Sequence, residues 1–587
     1  MDVLAATDRA RIERLLSVAR ATRPLPAPDR SLYFASNRGG HVQVYRQNQP
    51  GAKPVEVAQT ETRMVPHAHT ALGLLVREDR GGNEVWQLSM CAEGRVRPLT
   101  TDLKAIHQSV TMHPDGRHAG LGWNPGGQAD MVLGAVDLET GELTSWATPG
   151  GFWQWEAWSP DGSRAAVMKR MGTPTEAHIL YPDGRLVRLL PSALRASTAE
   201  WLETGLLMLT DLDRDFLGLA LVDPDRPDAV MKWLFIEDHD VEGVVVDPGK
   251  TKAAVIVNDG IYDSIRVIAL DDGRELDRLL LPPGVTISDH SGDAGYHVSW
   301  SGDGARLFVS WERPTQPAEI YEWPGGARWT FTSEVPDGLV EPQQVAYESF
   351  DGLTIPSLFY SLGAQARPAV VYFHGGPEGQ SRGGYVPQAH LLNAIGVNVF
   401  LPNVRGSTGY GMRFQSLDDK TLRWNSVRDG CEAARHLKRS AQASRTAAMG
   451  GSYGGFMTLA VLVEDPELWD AGVETVGIAD WHTFFRNMPP WRGVLRINEY
   501  GDPNGAEADF LREISPIHRA GSIKAPLLVI HGRNDPRVPV AESIQIGEAV
   551  GRAEVLIFDD EGHGIAKLAN QVTANGRILE FLAAHLL

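Results

Sequence analysis

The segment TAAMGGSYGGFMTLAVL, residues 446–462, sets four glycines around Ser452 and then runs on into an apolar stretch. Glycine is costly in chain entropy, so such a cluster marks a place where the backbone turns sharply or approaches something closely. Before it, RTAAM (445–449) has the character of a short buried strand; after it, FMTLAVLVEDPELW (456–469) has that of an apolar helix. GGSYG, Gly450 to Gly454, fits G-x-S-x-G, a strained turn that lifts a nucleophilic serine between a strand and a helix and needs small neighbours. With 61 glycines among 587 residues the pattern alone is weak, and GQSRG (379–383) fits it equally well. Context separates the two, because GQSRG follows no strand and opens no apolar helix.

Around Ser452, strand-like runs alternate with helical stretches from about 336 to 587: PAVVYFH, GVNVFLPN, AGVETVG, APLLVIHG and AEVLIFDD. This alternation predicts a doubly wound, mostly parallel sheet covered by helices on both faces, one large α/β domain over 336–587. A serine hydroxyl is a poor nucleophile at neutral pH; it needs a base, and the base needs an orienting acid. In this architecture the three follow in the order Ser, Asp, His, each partner on a loop after a later strand. Asp535 in LLVIHGRNDPRVP (527–539) and His563 in VLIFDDEGHG (555–564) meet that order. Asp502, Asp559 and Asp560 compete for the acid, the last two very close to His563 in sequence. VVYFHGGPEG (370–379) adds a glycine pair after a strand, like the oxyanion loop of lipases and esterases. The backbone N–H groups of Tyr453 and Gly376 are the expected oxyanion donors, with Gly375 next in line.

Between about 24 and 335 the texture is different. Tight turns recur at Pro28-Asp29, Leu72-Gly73, Asp115-Gly116, Asp161-Gly162, Thr204-Gly205, Pro248-Gly249 and Asp303-Gly304, mostly about 43 to 46 residues apart, with a longer interval before the last. An apolar strand follows each turn, as in SLYFAS, HAGLGW and KAAVIVND, and a second hairpin follows that, as in MVLGAVDLETGELTSW. Seven such units predict a seven-bladed β-propeller over 23–335. Residues 1–22 read as an N-terminal helix: Leu4, Ile12, Leu15, Leu16 and Ala19 fall near helical spacing, and the prolines of TRPLPAPDR stop it.

The net charge of −19 argues against nucleic acid or an anionic membrane surface as the main partner. Cys91 and Cys431 are the only cysteines, too few and too far apart for a disulfide framework or a zinc site. MDVLAATDRARIERLLSVAR lacks the apolar centre of a signal peptide, and no run of about 18 apolar residues suggests a membrane span. A soluble cytoplasmic protein is expected, with no metal or cofactor; a homo-oligomer is compatible with this composition.

HGGPEG, NVRGSTGYG, GGSYGGFMT, GRNDPRVP and EGHG, in that order, resemble the catalytic domain of the prolyl oligopeptidase family of serine peptidases, most nearly its acylaminoacyl-peptidase-like branch. The motifs carry the resemblance over the C-terminal domain; the propeller resembles the family only in its repeat. The resemblance implies an α/β-hydrolase catalytic domain over 336–587, with a seven-bladed propeller over its active site and the N-terminal helix packed on the hydrolase. It implies Ser452, Asp535 and His563 as the triad. It puts Arg537 where relatives bind the carbonyl of the substrate residue preceding P1. GIADWHTFFRNMPPW (477–491) stands where relatives line the S1 pocket, making Trp481, Phe484 and Phe485 candidates and favouring a bulky apolar P1 residue.

The expected function is hydrolysis of short peptides, admitted by size through the propeller, by acylation of Ser452 and then attack of water. Dipeptidyl peptidases of this family hold a free substrate amine with paired glutamates on a propeller segment. No Glu-Glu dipeptide occurs in this chain, although separated glutamates can converge in space. Release of N-acylated amino acids from blocked peptides is therefore the leading expectation. The alternatives are a dipeptidyl peptidase or carboxypeptidase of the same family, or a carboxylesterase.

Overall fold

The computed structural model describes residues 6–170, 175–190, 195–226, 230–289, 295–332 and 334–587. Leu4, read above as part of the first helix, lies outside them. From Ala21 to Arg328 the chain lays down seven antiparallel sheets in succession; six have four strands, and the short strand Val285–Thr286 joins the seventh as a fifth. Each turn of the sequence repeat joins the first and second strands of its sheet. Leu202 pairs with Gly205 across one of them. Around Asp161-Gly162 and Asp303-Gly304, Ser159 N–H donates to the Arg164 carbonyl at 2.9 Å and Ser301 N–H to the Arg306 carbonyl at 2.8 Å. The longer last interval holds an inserted hairpin, Ser288–Asp289 against Gly295–Tyr296, ahead of the strand Val298–Trp300.

The strands are apolar on both faces because a blade is covered by a neighbour on each side. Gly205–Thr210 is buried at every position. Leu206 and Met208 pack with Met168 and Ile179 of the preceding blade, while Leu207 and Leu209 pack with Val255 and Val257 of the following one. The first and seventh blades are each built from contiguous sequence, so side-chain packing closes the ring instead of an exchanged strand. Ala21, Leu32 and Phe34 meet Phe308, Ile320 and Trp329 there, and Ser310 Oγ donates to the Ala21 carbonyl at 3.2 Å.

The second unit is one eight-stranded sheet. In chain order its strands are β1 (Gln343–Glu348), β2 (Thr354–Tyr360), β3 (Arg367–Phe373), β4 (Asn398–Pro402), β5 (Ala443–Gly451), β6 (Ala471–Thr475), β7 (Leu527–Gly532) and β8 (Glu554–Phe558). Their spatial order is 1-2-4-3-5-6-7-8; β2 runs antiparallel to both neighbours and all other pairs are parallel. Alternate residues serve the two faces. Ala369, Val371 and Phe373 join the core under the helices Trp424–Arg439 and Tyr453–Glu464, while Val370 joins the opposite core under Leu568–Leu586. The helix Ala6–Leu16 seals that second core with Ile12 and Leu15, packed among residues such as Leu391, Leu579 and Leu582.

GQSRG (379–383) is part of the joint between the units. Arg382 pairs with propeller residues Glu242, at 3.1 Å, and Asp263. Gln380 Oε1 accepts from Asn258 Nδ2 at 2.8 Å, and a Cβ on Gly383 would lie 2.1 Å from the Tyr262 ring. Gly383 is required by close approach to a blade, with no elbow involved.

Candidate active site

Strand β5 ends at Gly451, and the helix Tyr453–Glu464 begins at once, so Ser452 takes the whole reversal. Its φ of 58° and ψ of −122° are strained for a residue with a side chain. Ser452 N–H donates to the Thr475 carbonyl on β6 at 2.9 Å, which anchors the turn. The surrounding glycines are explained by distance. A Cβ on Gly450 would lie 2.3 Å from the Gly454 carbonyl oxygen, one on Gly454 2.2 Å from the Phe373 oxygen, and one on Gly455 2.6 Å from Gly477 Cα. Gly451 alone has ordinary room, its nearest neighbour being the Thr475 oxygen at 3.6 Å.

Asp535 and His563 are brought together from the loops after β7 and β8: His563 Nδ1 lies 2.7 Å from Asp535 Oδ2. Asp535 Oδ1 accepts from the backbone N–H groups of Arg537 at 2.7 Å and Val538 at 2.9 Å. Burial alone would raise the pKa of this carboxyl, but the hydrogen bonds to His531 and His563 hold it well below the usual carboxylate range. It is therefore an anion able to orient an imidazole and stabilise its protonated form. The competing acids are engaged elsewhere: Asp559 with Arg533 at 2.5 Å, Asp560 with Lys567 at 2.6 Å, and Asp502 with the backbone N–H of Asn504 at 2.9 Å. Ser452 and His563 both face a cavity of about 930 Å³ whose far wall is propeller, including Arg63, Asp79 and Gly82.

The glycine loop after β3 lies against the elbow. A Cβ on Gly375 would sit 3.5 Å from Ser452 Cβ, and the Gly376 carbonyl accepts from Tyr500 Oη at 3.0 Å. The Tyr453 N–H is the first amide of its helix, where no carbonyl one turn back within the helix is available to it. A buried arginine ties the elbow to the segment that carries Tyr500. Arg423 Nη1 donates to Tyr453 Oη at 2.9 Å and to Asp418 Oδ2 at 3.0 Å, and Arg423 Nη2 donates to the Glu499 carbonyl at 2.8 Å. Tyr500 stacks on Tyr453 at 6.1 Å. Trp481 is 4.5 Å from Tyr500 by ring centroids and fully buried, Phe484 is 3% exposed, and Phe485 is half-buried. Trp481 and Phe484 thus belong to the buried core beside the elbow, and Phe485, packed against it, is the most open of the three.

Arg537 does not stand free. Its Nε lies 2.9 Å from Glu84 Oε1, and Glu84 also holds Arg492 Nη2 at 2.5 Å. Glu84 belongs to a propeller loop in which Gly82 backs onto Gly562, beside His563; a Cβ on Gly562 would lie 3.1 Å from the Gly82 oxygen. Burial alone would raise the Glu84 carboxyl, but the two arginines outweigh it and lower its pKa. Burial lowers Arg492 to about 10. Replacing Glu84 with alanine leaves Arg492 largely buried without its carboxylate. The expected loss is about 1–3 kcal/mol, below the 3–5 of a fully buried pair because Arg537 is half-exposed. An unchanged denaturation midpoint would contradict this account.

Sequence reasoning missed Glu84, Arg492, Arg423, Tyr500 and His531. Glu84 and Arg537 are far apart in the chain, and nothing local in EVW or NDPRVP links them. Among the described residues, two groups bring metal-type ligand atoms close together: His113, Asp115 and His118 on the propeller, and Asp418, Asp419 and Glu499. The first is knit by its own hydrogen bonds, with Asp115 2.7 Å from His118, and the second is already bridged by Arg423. No helix among the described residues is long and apolar enough to cross a membrane.

Residues 384–587 match the family model described as the prolyl oligopeptidase family. Dipeptidyl aminopeptidase BIII of Pseudoxanthomonas mexicana is 30% identical over 382 residues, covering 60% of this chain and 54% of that protein. Acylamino-acid-releasing enzyme 2 of Oryza sativa subsp. japonica is 28% identical over 233 residues, covering 37% of this chain and 30% of that protein. These matches span about half or less of the curated relatives' own length. The fold as a whole is similar to a solved puromycin-hydrolyzing peptidase of Mycobacterium tuberculosis, with a TM-score of 0.84 at 21% identity over 100% of this chain and 96% of that one. The similarity to the prolyl oligopeptidase family is thus carried by the hydrolase part of the chain, over residues 384–587.

Proposed function

We propose that the protein releases N-acylated amino acids from short blocked peptides, with Ser452 as nucleophile, His563 as general base and Asp535 as its orienting acid. The N–H groups of Tyr453 and Gly376 receive the oxyanion, and the wall of Trp481, Phe484 and Phe485 backs the P1 side chain. His563 takes the Ser452 proton as the hydroxyl oxygen attacks the carbonyl, then returns it to the leaving amine; water repeats the cycle on the acyl-enzyme. The propeller over the cavity limits entry to short or unfolded chains.

The observation that carries the choice of substrate is the trio Arg492, Glu84 and Arg537 beside the His563 loop. One carboxylate between two guanidiniums leaves a net positive charge, and both Glu84 oxygens are engaged. A free substrate ammonium is repelled there, whereas an acyl-blocked terminus carries no charge to repel. The second reading, a dipeptidyl peptidase, is favoured by the similarity to dipeptidyl aminopeptidase BIII over 60% of the chain. Turnover of an acetyl-aminoacyl anilide, a free dipeptide anilide and a simple acyl ester separates the readings. The blocked anilide is expected to have at least about tenfold higher kcat/KM than the free one, a difference of about 1.4 kcal/mol in transition-state binding. Preference for the free dipeptide would establish the second reading, and turnover of the ester alone would point to an esterase.

A further inference from the structure

Asp535 has a second imidazole that the catalytic cycle above does not use. His531, on β7 and fully buried, lies with Nε2 3.3 Å from Asp535 Oδ2, the oxygen that also meets His563. The same Nε2 is 3.0 Å from the Val538 carbonyl. Both neighbours are acceptors, so Nε2 carries a hydrogen. On the other side of the ring, Nδ1 is 2.7 Å from Ser543 Oγ, and Ser543 Oγ is 3.4 Å from Glu474 Oε2. Glu474 Oε1 accepts from the backbone N–H of Gly477. A line of buried polar groups thus runs from the triad acid to a carboxyl on β6.

We propose that His531 is a positioning residue for Asp535, and that Ser543 and Glu474 form with it a one-proton relay that sets the charge His531 presents to Asp535. In one state the Glu474 carboxylic acid donates to Ser543 Oγ, the Ser543 hydroxyl donates to Nδ1, and His531 is neutral. In the other, the hydroxyl proton has passed to Nδ1 and the Glu474 proton to Ser543 Oγ, leaving an imidazolium and a carboxylate. Two protons each move one step, the net transfer is one proton from Glu474 to His531, Ser543 ends with its hydroxyl restored, and no bond between heavy atoms changes. Asp535 must stabilise the His563 imidazolium during acylation, and a second imidazolium on the same oxygen competes for its charge. The neutral state is therefore the working one.

The surroundings agree. Burial pushes Glu474 up to about 7. Burial alone would lower His531, but Asp535 and Glu474 outweigh it and raise it. Other charged groups near the relay are Glu542, which opens the neighbouring helix, His563 across Asp535, and Arg537, whose backbone N–H binds the far oxygen of Asp535. The Glu542 carboxylate faces away, accepting from Ala479 N–H at 3.1 Å and Thr483 Oγ1 at 2.5 Å.

The inference rests on Asp535 being the triad acid, and its test uses the intact protein and a fluorophosphonate probe, so that no substrate need be known. Second-order labelling rates are measured from pH 5 to 9. Glu474→Gln reproduces the protonated carboxyl: its amide oxygen accepts from Gly477 and its NH2 donates to Ser543. The wild-type profile is expected to contain two ionisations and that of Glu474→Gln one. His531→Phe is expected to slow labelling at least about tenfold, and His531→Gln, which keeps an N–H facing Asp535, to recover most of the loss. Identical profiles for wild type and Glu474→Gln would overturn the relay, and wild-type labelling by His531→Phe would overturn the positioning role. If His531→Phe does not fold, Glu474→Gln and His531→Gln decide the matter. Ser452→Ala is labelled in parallel. Labelling that persists there refutes the triad itself; its loss beside an unchanged Glu474→Gln profile refutes the relay alone.

Discussion

Ser452→Ala is expected to abolish hydrolysis and fluorophosphonate labelling, with a fall of about 10⁴-fold or more in kcat, while leaving the fold unaltered. The substitution removes one oxygen. It retains the Cβ, so the strained φ of 58° is no harder to hold, and the anchoring bond from the Ser452 N–H to Thr475 is a backbone bond. What is lost is the hydroxyl at the end of β5, facing the cavity that His563 also faces. The geometry lets this mutant be a clean test: a change in its circular dichroism or unfolding midpoint would mean that the hydroxyl has a structural role missing from this account. Turnover surviving in well-folded Ser452→Ala would show that a different nucleophile does the chemistry.

Gly454→Ala is expected to be the most damaging small substitution in the elbow. Its Cβ would lie 2.2 Å from the Phe373 carbonyl oxygen and 2.9 Å from that of His374, both backbone atoms at the end of β3. A side chain can rotate away from such an intruder, but a strand end in the middle of an eight-stranded sheet cannot. Either the helix Tyr453–Glu464 lifts off β3 or the glycine loop moves, and each displaces Ser452 from the groups around it. Overpacking of this kind costs about 1–3 kcal/mol, and a shift of about 1 Å in a reacting group lowers the rate about 10²-fold. Gly451→Ala is the matched control for stability, because its nearest contact would be an ordinary 3.6 Å. Equal unfolding midpoints for the two variants would refute the close-approach explanation of the glycine cluster.

The two parts of the chain were legible for different reasons. The propeller announced itself through turn chemistry: a pair containing Gly, Asp or Pro recurs where each blade turns from one strand to the next, so the period is legible even where the strands differ. The hydrolase sheet announced itself through apolar runs, since its central strands are covered on both faces. The antiparallel strands β1 and β2 escaped notice because QQVAYE and TIPSLFY carry half-exposed positions and no helix divides them. The two matches to G-x-S-x-G differ in the same physical terms. Gly450 is enforced by the backbone of its own elbow and Gly454 and Gly455 by the backbone of the neighbouring β3 and β6 ends, whereas Gly383 is enforced by the Tyr262 side chain of the propeller.

Local sequence was enough to determine the strand–turn–helix at Ser452, the order of the later loops bearing Asp535 and His563, and the sevenfold repeat, because each follows from steric and hydrogen-bonding needs within a few residues. Only the tertiary structure decided that Glu84 holds both Arg537 and Arg492, that Arg423 joins the elbow to its surroundings, and that His531 shares an oxygen of Asp535 with His563. Charges and imidazoles like these take their character from whatever the fold sets within a few ångströms of them. For Glu84 and Arg537 that neighbour comes from the other domain, and no reading along the chain encodes it.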